Sequence, residues 1–226
     1  MPSAPTVPDR NERFPSDFPL VLASVSPRRS ELLARLGVSF VVVPASVEEC
    51  SSEMLTAWEV AKWNAYRKAR NVARTLENSI VLGSDTVVCL GTRLFGKPSS
   101  IADASAMLHD LQGKDHEVVT AICLLESLSG YCRITADTTR VRFKSLNHDA
   151  ISAYHQAVNP LDKAGGYGIQ DCGDQIIESI DGSFTNVMGL PIELLSLELN
   201  RLALWYRFER ANRLSIGGST KPKQQE

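Results

Sequence analysis

The chain has 226 residues, of which 43% are hydrophobic and 22% charged, with a net charge of −2. That length suits one large α/β domain or two small lobes, and the composition supplies a sizeable core, so disorder is not the default. The pI of about 6.1 argues against nucleic acid as the leading partner. No apolar run is long enough to cross a membrane. Five cysteines, an odd number without a CxxC pair, speak against a disulfide framework or a thiolate zinc site. Free thiols in a reducing cytoplasm are the expectation.

Residues 1–19 lack the apolar segment of a signal peptide and read as a loose, flexible extension. Leu20 to Ala23 is a short apolar run suited to a buried strand. Ser26-Pro27 then predicts a helix start, with Leu32, Leu33 and Leu36 as its buried stripe and Gly37 as its stop. Phe40 to Val43 reads as a second strand, ended by Pro44. Thr56 and Glu59 form a capping box that opens a long helix, with Ala61, Ala65, Ala69, Val72, Ala73 and Leu76 at helical spacing.

Ile80 to Leu82 predicts a third strand, broken at Asp85 and resumed from Val87 to Leu90. Gly91-Thr92 turns the chain into a short strand at Arg93 to Phe95. Ser100 caps a helix that stops near Gly113. Two strands follow, Val118 to Leu125 and a longer one through Thr139, Val141 and Phe143, joined by a Ser129-Gly130 turn. Asn147 caps a helix that ends before Asn159-Pro160. Ile176-Ile177 suits a short strand, and Gly189-Leu190-Pro191 opens a last helix with Ile192, Leu195, Leu199 and Leu202 inward. Residues 209–226 read as a frayed, disordered tail, which leaves 20–208 as a single domain of two lobes. Interleaved strands and helices predict an α/β fold with a mixed sheet.

Four segments carry candidate chemistry. In Ser24-Val-Ser26-Pro-Arg28-Arg29 both arginines fall in a first helical turn, where the dipole already supplies partial positive charge. That placement suits a phosphate held by Arg side chains, Ser hydroxyls and free backbone N–H groups. The alternative is that both arginines face water and pair with nearby glutamates. In Gly83-Ser84-Asp85-Thr86 the carboxylate could bind a divalent cation or take a proton from water, or serve only as a turn former. In Gly96-Lys97-Pro98 the lysine is held in extended backbone and could neutralise a phosphate oxygen, or remain solvated. In Asp162-Lys163-Ala-Gly-Gly-Tyr-Gly-Ile-Gln170 three glycines permit close backbone approach and Gln170 can read a base edge, unless this is a plain surface loop. Glu49 and Lys68 are charged residues whose spacing decides nothing. The four histidines lack metal-ligand spacing, and no GxSxG or Cys–His signature supports a covalent nucleophile.

Taken together, LASVSPRRSELLARLGV, GSDTVV, GKP, HEVVTA, DKAGGYGIQ and NVMGLP resemble, in order, the motifs of the Maf family of nucleotide pyrophosphatases. The resemblance spans Leu20 to Leu199. It implies an elongated α/β fold with a central cleft, similar to the inosine triphosphatase group. It implies metal-dependent hydrolysis between the α- and β-phosphates of a nucleoside triphosphate, with Mg²⁺ or Mn²⁺ as cofactor held by Asp85, Glu49 or both. Asp85 matches the catalytic acid, taken as general base. Glu49, Lys68 and Lys97 match the other charged catalytic positions. Ser24, Arg28 and Arg29 match phosphate-binding positions, and Arg28, Thr86 and Gln170 match those tied to substrate choice. Thr86 with Gln170 resembles the branch acting on dTTP and UTP. The resemblance also suggests a homodimer. A nucleotide-binding regulator of cell division and a pyrophosphatase for another modified nucleotide are the competing expectations. The chain extends past the last motif with Trp205, Tyr206 and Phe208, aromatics that either pack back or meet a partner.

Overall fold

The computed structural model describes residues 19–217, except 53 and 128, with side chains described as far as residue 206. The expected N-terminal extension, but for Pro19, lies outside the described residues, as do 218–226 of the expected tail. Chain order runs β1 (Leu20–Leu22), α1 (Pro27–Ala34), β2 (Phe40–Val42), α2 (Ala57–Ala73), β3 (Ile80–Leu90), β4 (Arg93–Phe95), α3 (Ile101–Leu111), β5 (Asp115–Glu126), β6 (Cys132–Phe143) and α4 (His148–Ala157). After a 3-10 turn at Ala164–Gly166 come α5 (Gly173–Ile176), β7 (Ile177–Asp181), α6 (Phe184–Met188) and α7 (Ile192–Gly217). The last helix continues through Gly217, so residues 209–217 of the expected tail lie within it. No helix among the described residues is long and apolar enough to cross a membrane.

The seven strands form one mixed sheet, as expected, in the order β2-β1-β3-β5-β6-β7 with β4 on β3. β1 runs parallel to both β2 and β3, and the remaining pairs are antiparallel. One edge of β3 is covered by β5 along residues 80–89. The other edge is divided. β1 takes residues 80–82 and β4 takes residues 88–90, so residues 83–87 have no strand beside them on that side. This gap determines where a ligand can enter.

Three of the four caps read in the sequence make the expected side-chain bonds, and Ser26 does not. Thr56 Oγ1 accepts from Glu59 N–H, while the Glu59 carboxylate accepts from Thr56 N–H. Ser100 and Asn147 side chains accept from Asp103 and Ala150 N–H. Such caps each contribute about 0.5–2 kcal/mol. The Ala61, Ala65 and Ala69 stripe lies fully buried on one face of the sheet, against Val81, Val87, Val119, Ala121 and Cys123. On the opposite face α1, α6 and α7 cover Leu20, Leu22, Ile80 and Leu82, while α3 and α4 cover Val88, Val118 and Val141. Trp205 stacks near Tyr131 with ring centroids 4.8 Å apart, so Trp205 and Tyr206 pack back on the domain. The Phe208 side chain lies outside the described residues.

Two expectations are corrected. β3 is one strand of 11 residues, and Asp85 sits within it rather than at a break. Its carboxylate is held by partners on α2, so the backbone need not turn to present it. Ile176, expected with Ile177 in a short strand, instead ends α5, and β7 begins at Ile177; α5 and α6 are too brief for a periodic signal.

His116 on β5 is buried, its Nε2 2.7 Å from the Tyr167 hydroxyl and its Nδ1 without a partner. Burial, only partly offset by Asp115, depresses its pKa to about 4. An unfolded chain accepts a proton near 6.5, so the fold loses stability as pH falls from 6.5 through 4, by about 2–3 kcal/mol at the acid end. His116→Gln should flatten the pH dependence of urea-unfolding stability across that window; an unaltered slope would refute this.

Candidate active site

A cleft of about 550 Å³ opens at the uncovered segment of β3. Its walls include Ser24, Arg28, Arg29, Glu49, Lys68, Asp85, Thr86, Lys97 and Gln170, so every residue singled out in the sequence lines one hollow. Side chains alternate along a strand, so Asp85 and Thr86 face opposite sides of the sheet. Asp85 lies on the α2 side with Val81 and Val87, and Thr86 on the side of Ile80, Leu82 and Val88. Both reach one ligand space only because that edge of the sheet is open.

On the α2 side an acidic and basic cluster is closely bonded. Lys68 Nζ lies 2.6 Å from Asp85 Oδ1 and 2.6 Å from Glu49 Oε1. Asp85 Oδ2 accepts from Asn64 Nδ2 at 3.1 Å. Asp85, Lys68 and Asn64 are buried, which for charges is tolerable only with paired partners. Lys97 is more exposed, its Nζ 3.7 Å from Glu49 Oε1. Burial raises the Glu49 pKa, but Lys68, then Lys97 and Arg29, outweigh it and hold the carboxyl below its usual range. Glu49 therefore stays ionised above that range and contributes its pairing energy there, losing it as pH falls through the lowered pKa.

On the other side, α1 directs its N-terminus into the cleft. Ser26 caps it without a side-chain hydrogen bond, and no acidic residue occupies its first turn. Ser24 Oγ instead accepts from Ser26 N–H at 3.1 Å. Arg29 is half-buried and bonds inward. Its Nε donates to Gly189 C=O at 2.9 Å and its Nη2 to Thr86 Oγ1 at 3.1 Å. Desolvation lowers the Arg29 pKa, opposed by Asp85 and Glu49. Thr120 commits its hydroxyl hydrogen to Asn186 C=O at 2.8 Å, so the Thr86 hydrogen completes the 3.1 Å contact between the two threonines. Arg28 crosses the cleft mouth, with Nη1 2.7 Å from Asp162 Oδ2 and Nη2 donating to Asp162 C=O. The alternative in which both arginines pair with nearby glutamates is therefore not what the structure shows. Gln170 sits exposed at the rim, donating to Asp171 Oδ2 at 3.1 Å.

Sequence reading missed Asn64 and Lys163. Lys163 is buried, its Nζ bonded to Asn159 C=O and Asp162 Oδ1, and it anchors the glycine-rich segment. Asn64 precedes Lys68 by four positions on the apolar face of α2. A polar pair at that spacing amid buried alanines was the available signal.

Asp85 and Glu49 fit a hard divalent cation. Two carboxylate oxygens already converge on one ammonium, and Mg²⁺ commonly takes one or two carboxylates plus phosphate oxygens. Among the described residues no group of three acidic, His or Cys side chains could hold a metal by itself, so substrate oxygens and water would complete the shell.

A mixed sheet, a cation-rich helix N-terminus and a buried carboxylate beside an open strand edge define an α/β protein built to hold a polyanion against an acid. The sequence profile of the Maf-like protein family matches residues 19–202. The chain belongs to that family. A dTTP/UTP pyrophosphatase of Aquifex aeolicus (strain VF5) is 43% identical over 188 residues, which cover 82% of this chain and 96% of the relative. A dTTP/UTP pyrophosphatase of Gloeobacter violaceus (strain ATCC 29082 / PCC 7421) is 43% identical over 78% of this chain and 92% of its own length. One of Desulforamulus reducens (strain ATCC BAA-1160 / DSM 100696 / MI-1) is 41% identical over 79% and 93%.

Proposed function

We infer that this chain is a nucleoside triphosphate pyrophosphatase that prefers dTTP and UTP. The observation that carries the reading is the convergence of Arg28, Arg29, Lys68 and Lys97 with the buried Asp85 on one cleft. Family membership and the activity for which the relatives are named support it. Water attacks phosphorus, the α–β anhydride bond breaks, and a monophosphate and pyrophosphate leave. Fixed positive charge from the arginines and lysines stabilises the charge that develops on the phosphate oxygens. Asp85 orients the water and accepts its proton. Asp85 and Glu49 would hold Mg²⁺ or Mn²⁺, which supplies further neutralisation of phosphate oxygens.

Thr86 and Gln170 both line the cleft and would read the base. A site that hydrogen-bonds a pyrimidine rejects bases that leave its buried polar groups unpaired. Five free thiols suit a reducing cytoplasm. The test is pyrophosphate release across a nucleotide panel with and without Mg²⁺ or Mn²⁺. The expected result is metal-dependent turnover of dTTP and UTP at least about tenfold above ATP and GTP, roughly the effect of one net hydrogen bond. Equal rates on purines would sink the base preference, and binding without any pyrophosphate release would sink the enzyme.

A further inference from the structure

Residues 43–52, which carry Glu49, form no helix or strand. Something else must hold that carboxylate against Lys68. Asn71 Oδ1 accepts from Ser46 N–H at 3.0 Å, and the residue next to Glu49 is held by Asn64. Asn64 Oδ1 accepts from Cys50 N–H at 2.8 Å, and Asn64 Nδ2 donates to Cys50 C=O at 3.0 Å. One carboxamide thus pairs both backbone groups of a single residue, as a neighbouring strand would. The second Nδ2 hydrogen goes to Asp85 Oδ2 at 3.1 Å. Asn64 is 3% exposed. Turning the amide over would set its N–H groups against Cys50 N–H, so the bonding pattern admits one orientation.

The consequence follows from connectivity. The Cys50 N–H belongs to the peptide that joins it to Glu49, so clamping that peptide fixes where the Glu49 side chain starts. The same amide fixes the Asp85 carboxylate plane from its Oδ2 side, while Lys68, one helical turn further on, takes Oδ1. Asn64 and Lys68 therefore read both oxygens of one carboxylate from one face of α2.

We propose that Asn64 is a positioning residue that holds Glu49 and Asp85 in a single relative arrangement, through its amide bonds to the Cys50 peptide and Asp85 Oδ2. This rests on the pyrophosphatase reading of the cleft. Asn64 makes its hydrogen bonds to Cys50 and Asp85 and none to α1 or Lys97, so the arginines of α1 and Lys97 keep their own positions when its amide is removed. The loss falls on the acidic pair.

The test compares Asn64→Leu, which keeps the volume without the amide, and Asn64→Asp, which keeps the acceptor for Cys50 N–H but loses both donors. Steady-state kinetics on dTTP are combined with hydrogen exchange of the peptide spanning residues 46–56. Supporting partners of acidic ligands typically carry 10- to 100-fold in activity. The expected result is a kcat fall of roughly that size in both variants, with KM moved by less than about threefold. Exchange at Cys50 should rise strongly in Asn64→Leu and less in Asn64→Asp. A kcat within about twofold of the parent, or a loss carried mainly by KM, overturns the proposal. So does unaltered exchange at Cys50 in Asn64→Leu. If Asn64→Leu fails to fold, Asn64→Asp decides the kinetic arm. If the parent releases no pyrophosphate from any nucleotide, the pyrophosphatase reading falls by itself, while hydrogen exchange still decides whether the clamp exists.

Discussion

Asp85→Asn is expected to lower kcat for nucleotide hydrolysis by about 10²–10⁴-fold, the range carried by a positioned base, with a much smaller change in KM. The substitution keeps size and shape, so the sheet and α2 stay in register. It removes one acceptor and adds a donor. Both present partners of Asp85, Lys68 Nζ and Asn64 Nδ2, are donors, so one of the two contacts becomes donor against donor. Lys68 retains Glu49 at 2.6 Å, which limits the stability loss to about 1–3 kcal/mol, the cost of a buried polar group left unmatched. Thermal unfolding should show a modest drop in Tm while turnover collapses. Parent-like turnover in a folded variant would remove Asp85 from the reaction.

Gly83→Ala should produce the largest structural effect of any single methyl group in the molecule's site. Gly83 lies two residues before Asp85 on the same face of β3. A Cβ there would stand 2.1 Å from Ala65 C=O oxygen and 2.8 Å from Ala69 N, both backbone atoms of α2. No side chain can move aside to accept it, so the helix itself must lift. Overpacking of this kind usually costs 1–3 kcal/mol, and a backbone clash places the change at about 3 kcal/mol or more. Lifting α2 also draws Asn64 and Lys68 away from Asp85, so activity should fall together with stability. Gly96→Ala is the stability control, since nothing lies within 4 Å of its added carbon. It should change unfolding stability by no more than about 0.5 kcal/mol. Equal midpoints for the two variants would show that α2 does not seat on Gly83 as described.

Much of this architecture was legible in the chain before any coordinates. Thr56, Ser100 and Asn147 were read as caps and act as caps. Ala61, Ala65 and Ala69 of α2, Leu32 and Leu33 of α1, and Leu195, Leu199 and Leu202 of α7 are buried as their spacing predicts, while Leu36, Leu76 and Ile192 are only partly so. The order of motifs named the family. Other features were read wrongly or not at all, for one physical cause. Asp85 looked like a break in a strand because a carboxylate is a poor strand residue in isolation. Its stabilising partners, Asn64 and Lys68, sit 21 and 17 positions earlier on a different element. Arg28 and its partner Asp162 lie 134 positions apart, a pairing that no local pattern announces.

The sequence by itself determined the local elements, since caps and hydrophobic periodicity act within one or two helical turns or a strand's length. It also supplied the inventory of charged groups for a polyanion. Only the tertiary structure decided that Asp85 and Thr86, on opposite faces of β3, open on one cleft. That result depends on β1 and β4 sharing an edge and leaving residues 83–87 uncovered between them. Strand order is set by packing between distant segments, and no local propensity encodes it.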